Sequence, residues 1–236
     1  MVHGAGGGGW EWRTWAAVFA NAGIGVLAPD LQPSARGLAA TRFEDYCAQV
    51  EAWLTATSGP MVAVGASLGG LLVLAACQRL ERPPVAMVLV NPVPPRGIEP
   101  RPPQRARPAV VPWSRAALAA TAAALPDADS NTVRWAHARW RDESGTVLDA
   151  ALTGIDVERP RCPVLVVASS DDTDIPWATS RALAQALGAD FVTAARCSHL
   201  GALLGTHAAT MAALAVAWCS AREIAAEPAA TTGVNS

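Results

Sequence analysis

The sequence contains no lysine: all 18 of its basic residues are arginines, and 20 acidic residues bring the formal net charge to −2. This balance provides neither the basic surface that binds nucleic acid nor an acidic tail. The lack of lysine also excludes the phosphate-binding pattern G-x-x-x-x-G-K-[ST] for the glycine-rich run at 4–9. Because only "MVH" precedes this run, it does not match a dinucleotide-binding fingerprint, which follows a strand.

Long apolar runs and clustered cysteines are also missing. No stretch is apolar over the length of a bilayer, and the N-terminal residues have no positive leader or apolar core of a signal peptide. The cysteines are odd in number and form no C-x-x-C or Cys/His cluster that would hold zinc; they are Cys47, Cys77, Cys162, Cys197 and Cys219. We therefore predict a soluble cytoplasmic protein with no membrane partner, no metal and no organic cofactor.

The hydrophobic pattern predicts the fold class. With 51% hydrophobic and 16% charged residues, the composition is typical of a folded globule, and 236 residues suit one domain. Short valine-rich runs alternate with longer helical patterns, which predicts the α/β class with a mostly parallel sheet flanked by helices. The predicted strands are residues 23–29, 60–66, 85–91, 162–168 and 190–195.

One segment, from about 92 to 160, interrupts the alternation. It is first rich in proline and arginine and then contains helical patterns that include Trp135 and Trp140. We predict a helical cap without strands, inserted over the end of the sheet; the alternative is a flexible linker. The C-terminal tail at 225–236 is predicted to be frayed.

The stretch "GASLGG" at 65–70 contains the pattern G-x-S-x-G around Ser67. In this pattern the glycines permit a sharp turn from a strand into a helix, and the turn presents the serine oxygen at the carboxyl edge of the sheet. A predicted strand precedes it and an apolar helical pattern follows. Ser67 is therefore a candidate nucleophile, and its alternative interpretation is a small residue that caps the helix.

A serine nucleophile needs a base, and the base needs a third group that fixes its tautomer. Hydrolases with this turn place the acid and then the histidine after the serine. His199 follows the last predicted strand, and three acids, Asp171, Asp172 and Asp174, follow the strand before it. The chain order is satisfied, with the choice of carboxylate open.

These motifs together resemble the α/β-hydrolase superfamily. The N-terminal "VHGAGGGGWEWRTW" is similar to the branch that contains plant-type methyl esterases and hydroxynitrile lyases. The resemblance implies the α/β-hydrolase fold, here with a sheet shortened at its N-terminal side, and leaves open whether Met1 is the natural start. It also implies that Asp172, four residues before Pro176, is the acid, with Asp171 as the second choice; Ser169 replaces a glycine of the family pattern.

The resemblance further implies an oxyanion hole. In the family, two backbone N–H groups stabilise the charge that develops on the substrate carbonyl oxygen. Carried over to this sequence, these belong to Ala5 and Leu68. His3 is expected to brace the loop that contains Ala5.

The implied function is hydrolysis of an ester or thioester of a small apolar metabolite by Ser67, His199 and Asp172. A lyase is the first alternative, because the N-terminal motif and "APDLQPSARGLAATRFEDY" also resemble enzymes of spirotetronate polyketide pathways that eliminate acetate from an acetylated tetronate. An acyltransferase and a non-catalytic small-molecule binder are further alternatives. The predicted partner is a small-molecule ester or acyl substrate, and the oligomeric state stays open.

Overall fold

A four-stranded parallel sheet lies at the centre of the structure. The computed structural model describes residues 1–103 and 105–222. The strands are β1 (Val62–Ala66), β2 (Ala86–Val90), β3 (Val110–Val111), β4 (Glu143–Ser144), β5 (Val164–Ser169) and β6 (Asp190–Ala194). The central sheet has the order β1–β2–β5–β6, and all its pairs are parallel. The predicted α/β class with a mostly parallel sheet is confirmed.

Helices cover both faces of this sheet. They are α1 (Arg13–Asn21), α2 (Phe43–Ala56), α3 (Leu68–Cys77), α4 (Leu118–Ala124), α5 (Ser130–His137), α6 (Gly145–Thr153), α7 (Trp177–Leu187), α8 (Gly201–Leu204) and α9 (Ala208–Ser220). None of the helices within the described ranges is long and apolar enough to cross a membrane. The frayed tail predicted at 225–236 lies outside the described residues.

The strand residues alternate between two hydrophobic clusters. Met87 and Leu89 of β2 pack with α2, α3, α6 and α7 on one face, whereas Val88 and Val90 pack with α1, α8 and α9 on the other. Every residue of β2 is buried. Burial on both faces explains why the strand sequences read as continuous apolar runs with no polar alternation.

The predicted strand at 23–29 is wrong. Residues 24–33 form no strand, and their hydrogen bonds to residues 1–3 are isolated: the Met1 amino group donates to the Leu27 carbonyl oxygen, and the Leu31 N–H donates to His3 Nε2. Between this segment and β1 lies the short stretch around Val2, which forms an isolated parallel bridge to Gly65. A strand needs a continuous neighbour to form its hydrogen bonds, and this neighbour provides one bridge.

The segment at 92–160, called the insert below, contains two short strands, whereas the sequence predicted none. It contains β3 and β4, which pair antiparallel to each other, together with α4, α5 and α6. Two-residue strands leave no period in the sequence, which is why they escaped prediction. Apolar residues of the insert reach both clusters: Val147 and Ala151 join one and Leu125 and Val133 the other.

Close backbone packing joins β1 to α3. A Cβ on Gly65 would lie 2.4 Å from the carbonyl oxygen of Gly69, and a Cβ on Gly69 would lie 2.3 Å from that of Val2. Real Cβ atoms do not approach backbone this closely, so both glycines of G-x-S-x-G are required by space. The segment that starts at Val2 therefore lies directly against the turn at Ser67.

We expect Gly65→Ala to lower the free energy of unfolding by about 1–3 kcal/mol, because the added methyl group forces the helix away from the strand. The measurement is urea denaturation followed by circular dichroism. Gly25→Ala is the control, since a Cβ there meets nothing within 4 Å. Equal denaturation midpoints for the two variants would contradict this account of the turn.

Candidate active site

Ser67 adopts a backbone conformation that is rare for a residue with a side chain. Its φ is 51° and its ψ is −120°, and it occupies the N-cap position of α3. Its hydroxyl makes no capping hydrogen bond. The helix-capping interpretation of Ser67 therefore does not hold, whereas strain at a strand-to-helix turn is typical of a serine presented for chemistry.

His199 and Asp172 form a short hydrogen bond, with 2.6 Å between His199 Nδ1 and Asp172 Oδ2. The other carboxylate oxygen of Asp172 accepts from the N–H groups of Asp174 and Ile175, each at 2.8 Å. The Asp172 side chain is 1% exposed and that of His199 is 11% exposed. Because an ionised carboxylate only accepts, Nδ1 carries a proton and Nε2 is the nitrogen left for a substrate or nucleophile.

The other two candidate acids lie elsewhere in the same loop. Asp171 is exposed and accepts from the hydroxyl of Ser170. Asp174 is exposed and donates its backbone N–H to Asp172. The structure thus brings Asp172, and not Asp171, to the imidazole.

Ser67 and His199 lie at the same carboxyl edge of the sheet. The backbone N–H of Ser67 donates to Val90 at the end of β2, and the next residue, Asn91, donates its side-chain N–H to the His199 carbonyl oxygen at 2.7 Å. Asn91 also bonds to Ser169 at the end of β5. Across the residues that the structure describes, no hydrogen bond joins Ser67 Oγ to His199; such bonds are often long before substrate binds.

Asn91 was missed by the sequence analysis. The sequence pattern that could have identified Asn91 is its position: it is the first polar residue after an apolar strand, at the edge of the sheet where Ser67 was predicted. It has a φ of 45°, a left-handed conformation that asparagine tolerates better than most residues.

The loop that contains Ala5 lies against Ser67. A Cβ on Gly4 would lie 3.3 Å from Ser67 Cβ. The loop is braced by His3, as expected, because Nδ1 donates to the Gly4 carbonyl oxygen at 2.7 Å while Nε2 accepts from the Leu31 N–H at 2.9 Å. Burial lowers the pKa of His3 to about 4, so the ring is neutral and this donor–acceptor pattern is fixed at neutral pH.

The N–H groups on either side of Ala5 are already bonded to carboxylates. Gly4 donates to Glu11 Oε2 at 3.1 Å, and Gly6 donates to Glu143 Oε2 at 3.0 Å. The N–H groups of Ala5 and Leu68 donate to no acceptor within residues 1–103 and 105–222. Two unpaired N–H groups beside a serine are what a developing oxyanion requires.

Glu11 is a second group that the sequence analysis missed. It is 1% exposed, and its Oε1 has no hydrogen-bond partner within the described part of the chain. Burial raises the pKa of Glu11 to about 7, against the opposing effects of the Gly4 N–H and of His199, while Asp30 raises it further. The sequence pattern that could have identified Glu11 is its position as a single acid between two tryptophans, at 10–12, in a segment that is otherwise apolar.

The pKa of His199 is set by opposing effects. Burial acts to lower it, but the charge and hydrogen bond of Asp172, with smaller contributions from Asp174 and Glu11, outweigh burial and raise it above the usual value. Asp172 thus stabilises the protonated imidazole, which is the form a general base reaches after it accepts a proton.

Comparison with known proteins places the chain in a family. A sequence model described as the alpha/beta hydrolase family matches residues 1–214. No curated protein sequence matches the chain. Similar solved structures include a variant of tomato methylketone synthase I, with 14% identity, a TM-score of 0.73 and coverage of 94% of this chain and 96% of that one.

Two further solved structures are similar over nearly their whole length. A methylesterase from Arabidopsis has 14% identity and a TM-score of 0.71, with coverage of 93% of this chain and 98% of that one. A pyrethroid hydrolase from Sphingobium faniae has 18% identity and a TM-score of 0.69, with coverage of 93% and 95%. At these identities the likeness shows a shared fold.

We expect Glu11→Gln to stabilise the protein increasingly as the pH rises from 5 to 8. A carboxyl whose pKa is raised from 4.5 to about 7 on folding stabilises the fold at low pH and loses that contribution as the pH rises through 7. The measurement is the free energy of unfolding of both proteins at several pH values. Glu44→Gln, at an exposed position of α2, is the control; a pH-independent effect of Glu11→Gln would contradict the assignment.

Proposed function

We propose that this chain hydrolyses a carboxylic ester or thioester through Ser67, His199 and Asp172. The premise is that the chain belongs to the alpha/beta hydrolase family and is an enzyme of hydrolase type. The observation that carries the proposal is the 2.6 Å contact between His199 and Asp172 at the sheet edge that also presents Ser67. A strained serine, an oriented imidazole and two unpaired N–H groups are the parts that acyl transfer to a serine needs.

In the first half of the reaction, Ser67 Oγ attacks the carbonyl carbon while His199 Nε2 accepts the hydroxyl proton. The negative charge then develops on the former carbonyl oxygen, where the N–H groups of Ala5 and Leu68 donate to it. Helix α3 begins at Leu68, and the positive end of its dipole also stabilises this negative charge. Collapse of this intermediate breaks the bond to the leaving alcohol or thiol, which takes the proton from His199.

In the second half, water replaces Ser67 as the attacking group. His199 accepts a proton from water, the acyl–Ser67 ester is cleaved, and the proton returns to Ser67 Oγ. Asp172 acts through His199 in both halves, since it fixes the ring by Nδ1 and stabilises its charged form. Burial raises the pKa of Glu11 to about 7, which lowers the negative charge that this residue places next to the Gly4 N–H near that pH.

We propose a small apolar molecule as the substrate. What supports this is an aromatic cluster that includes Trp10, which follows the loop that contains Ala5, called the oxyanion loop below. Trp10 packs edge-on against Trp135 and Trp140 of the insert, with ring centroids 5.3 and 5.0 Å apart. Aromatic surface favours apolar ligands.

Elimination of a small carboxylate, such as acetate from an acylated polyketide intermediate, is the second candidate. Here His199 Nε2 would remove a C–H proton from the substrate directly, while Asp172 still holds the ring by Nδ1. In that reaction the carboxylate leaves, an alkene forms and no acyl–serine appears. Product analysis separates the two: hydrolysis gives an alcohol and elimination gives an alkene.

We expect a fluorophosphonate probe to label the native protein once per chain and Ser67→Ala not at all, because the probe phosphonylates an activated serine. Intact-mass spectrometry measures the labelling, and hydrolysis of short 4-nitrophenyl esters measures turnover. Ser170→Ala, a serine hydroxyl in the neighbouring loop, is the control and is expected to label as the native protein does. Labelling that persists in Ser67→Ala would overturn the nucleophile assignment.

We expect Asp172→Asn to lower kcat by about 10⁴-fold, as loss of the tautomer-fixing carboxylate does in serine hydrolases with a triad. The matched control is Asp171→Asn, one residue away and exposed, which is expected to keep kcat within about threefold. Steady-state kinetics on the same ester gives both numbers. If Asp171→Asn is the variant that loses activity, the carboxylate has been assigned to the wrong residue.

A further inference from the structure

The insert reaches the oxyanion loop through two hydrogen bonds to one residue. Gly6 donates its N–H to Glu143 Oε2 at 3.0 Å, and its carbonyl oxygen accepts from the Arg141 N–H at 2.8 Å. Trp113 of the insert packs on the same residue, since a Cβ on Gly6 would lie 2.2 Å from its ring. Gly6 directly follows Ala5, so the insert fixes the peptide next to the proposed oxyanion donor.

Glu143 is itself held rigidly. It is 3% exposed, and its second oxygen accepts from the Tyr46 hydroxyl at 2.9 Å and from the Ser144 N–H at 2.8 Å. Burial, and then the neighbouring Glu143, raise the pKa of Tyr46, so the phenol stays neutral and donates. The carboxylate uses both oxygens, one toward the loop and one toward α2 and β4.

The insert also reaches the loop that carries His199. Asp127, between α4 and α5, accepts from the Ser198 N–H at 2.9 Å and from the Ser198 hydroxyl at 2.7 Å. Its carbonyl oxygen accepts from the Thr206 N–H at 3.1 Å. Close packing accompanies these bonds, because a Cβ on Gly201 would lie 1.9 Å from Asp127 Oδ2.

We propose that the insert is a positioning element of the active site: Glu143 sets the oxyanion loop at Gly6, and Asp127 sets the histidine loop at Ser198. This inference rests on the proposed function and adds two positioning residues to it. Each carboxylate bonds to the residue adjacent to a functional one, Ala5 in the first case and His199 in the second. The insert therefore contributes to the reaction geometry.

The size of the effect follows from the geometry of the reaction. Loss of one oxyanion donor lowers kcat by about 10²- to 10³-fold in serine hydrolases, and a misplacement of about 1 Å can cost 10²-fold. An amide has one acceptor oxygen where a carboxylate has two, so Glu143→Gln and Asp127→Asn each lose a bond without a change in size. We expect each variant to lower kcat by about 10- to 100-fold, with KM within threefold of native.

The test is steady-state kinetics of Glu143→Gln and Asp127→Asn, combined with the rate and final extent of fluorophosphonate labelling. A positioning role lowers kcat and the labelling rate, while the final extent stays at one label per chain. Partial unfolding would instead lower the final extent. The matched control is Asp142→Asn: this carboxylate is next to Glu143 but bonds to Ser114 inside the insert, and is expected to keep native kinetics.

Each outcome has one meaning. Native kcat and native labelling rates in both variants would overturn the positioning role while leaving the proposed function intact. A native protein that neither labels nor turns over esters would instead remove the proposed function. Equal losses in Asp142→Asn and in the two test variants would also overturn the inference, because they would show a general effect of charge in the insert.

Discussion

The structure depends on one close approach of backbones around Ser67. The segment Val2–Gly4, the end of β1 and the start of α3 meet at distances that leave no room for side chains at Gly65 or Gly69. This packing imposes a φ of 51° on Ser67, which a free chain would avoid, and the buried core on both sheet faces supports the strain. That junction places the proposed nucleophile and the N-terminus of α3, and the oxyanion loop packs against it at Gly4.

Buried carboxyls form a second layer around the junction. Asp172 orients the imidazole, Glu11 accepts from Gly4, and Glu143 accepts from Gly6. They differ in the number of their oxygens that accept a hydrogen bond. Each oxygen of Asp172 and Glu143 accepts one, whereas one oxygen of Glu11 has no partner in the described part of the chain. Burial raises the pKa of Glu11 to about 7, because desolvation of its charge outweighs the opposing effects of the Gly4 N–H and of His199.

The sequence predicted what depends on local pattern and missed what depends on distant contacts. Strands β1, β2, β5 and β6 follow from apolar runs, and the loops with Ser67 and His199 follow from their order along the chain. The segment at 23–29 has the composition of a strand but lacks a continuous neighbour, which no local pattern reports. Glu143 and Asp127 contact residues 137 and 71 positions away in sequence, so their roles required the folded structure.

The bonds from the insert to both loops bear on how such enzymes diversify. The insert is one continuous stretch of the chain, so it can be exchanged as a unit. Glu143 and Asp127 belong to the insert and would be exchanged with it, whereas their partners Gly6 and Ser198 lie in the rest of the chain. Under the proposed positioning role, a chimera that lacks acids at these two places would lose the hydrogen bonds to Gly6 and Ser198 and would turn over its substrate slowly, so an exchange of the insert needs to keep both acids.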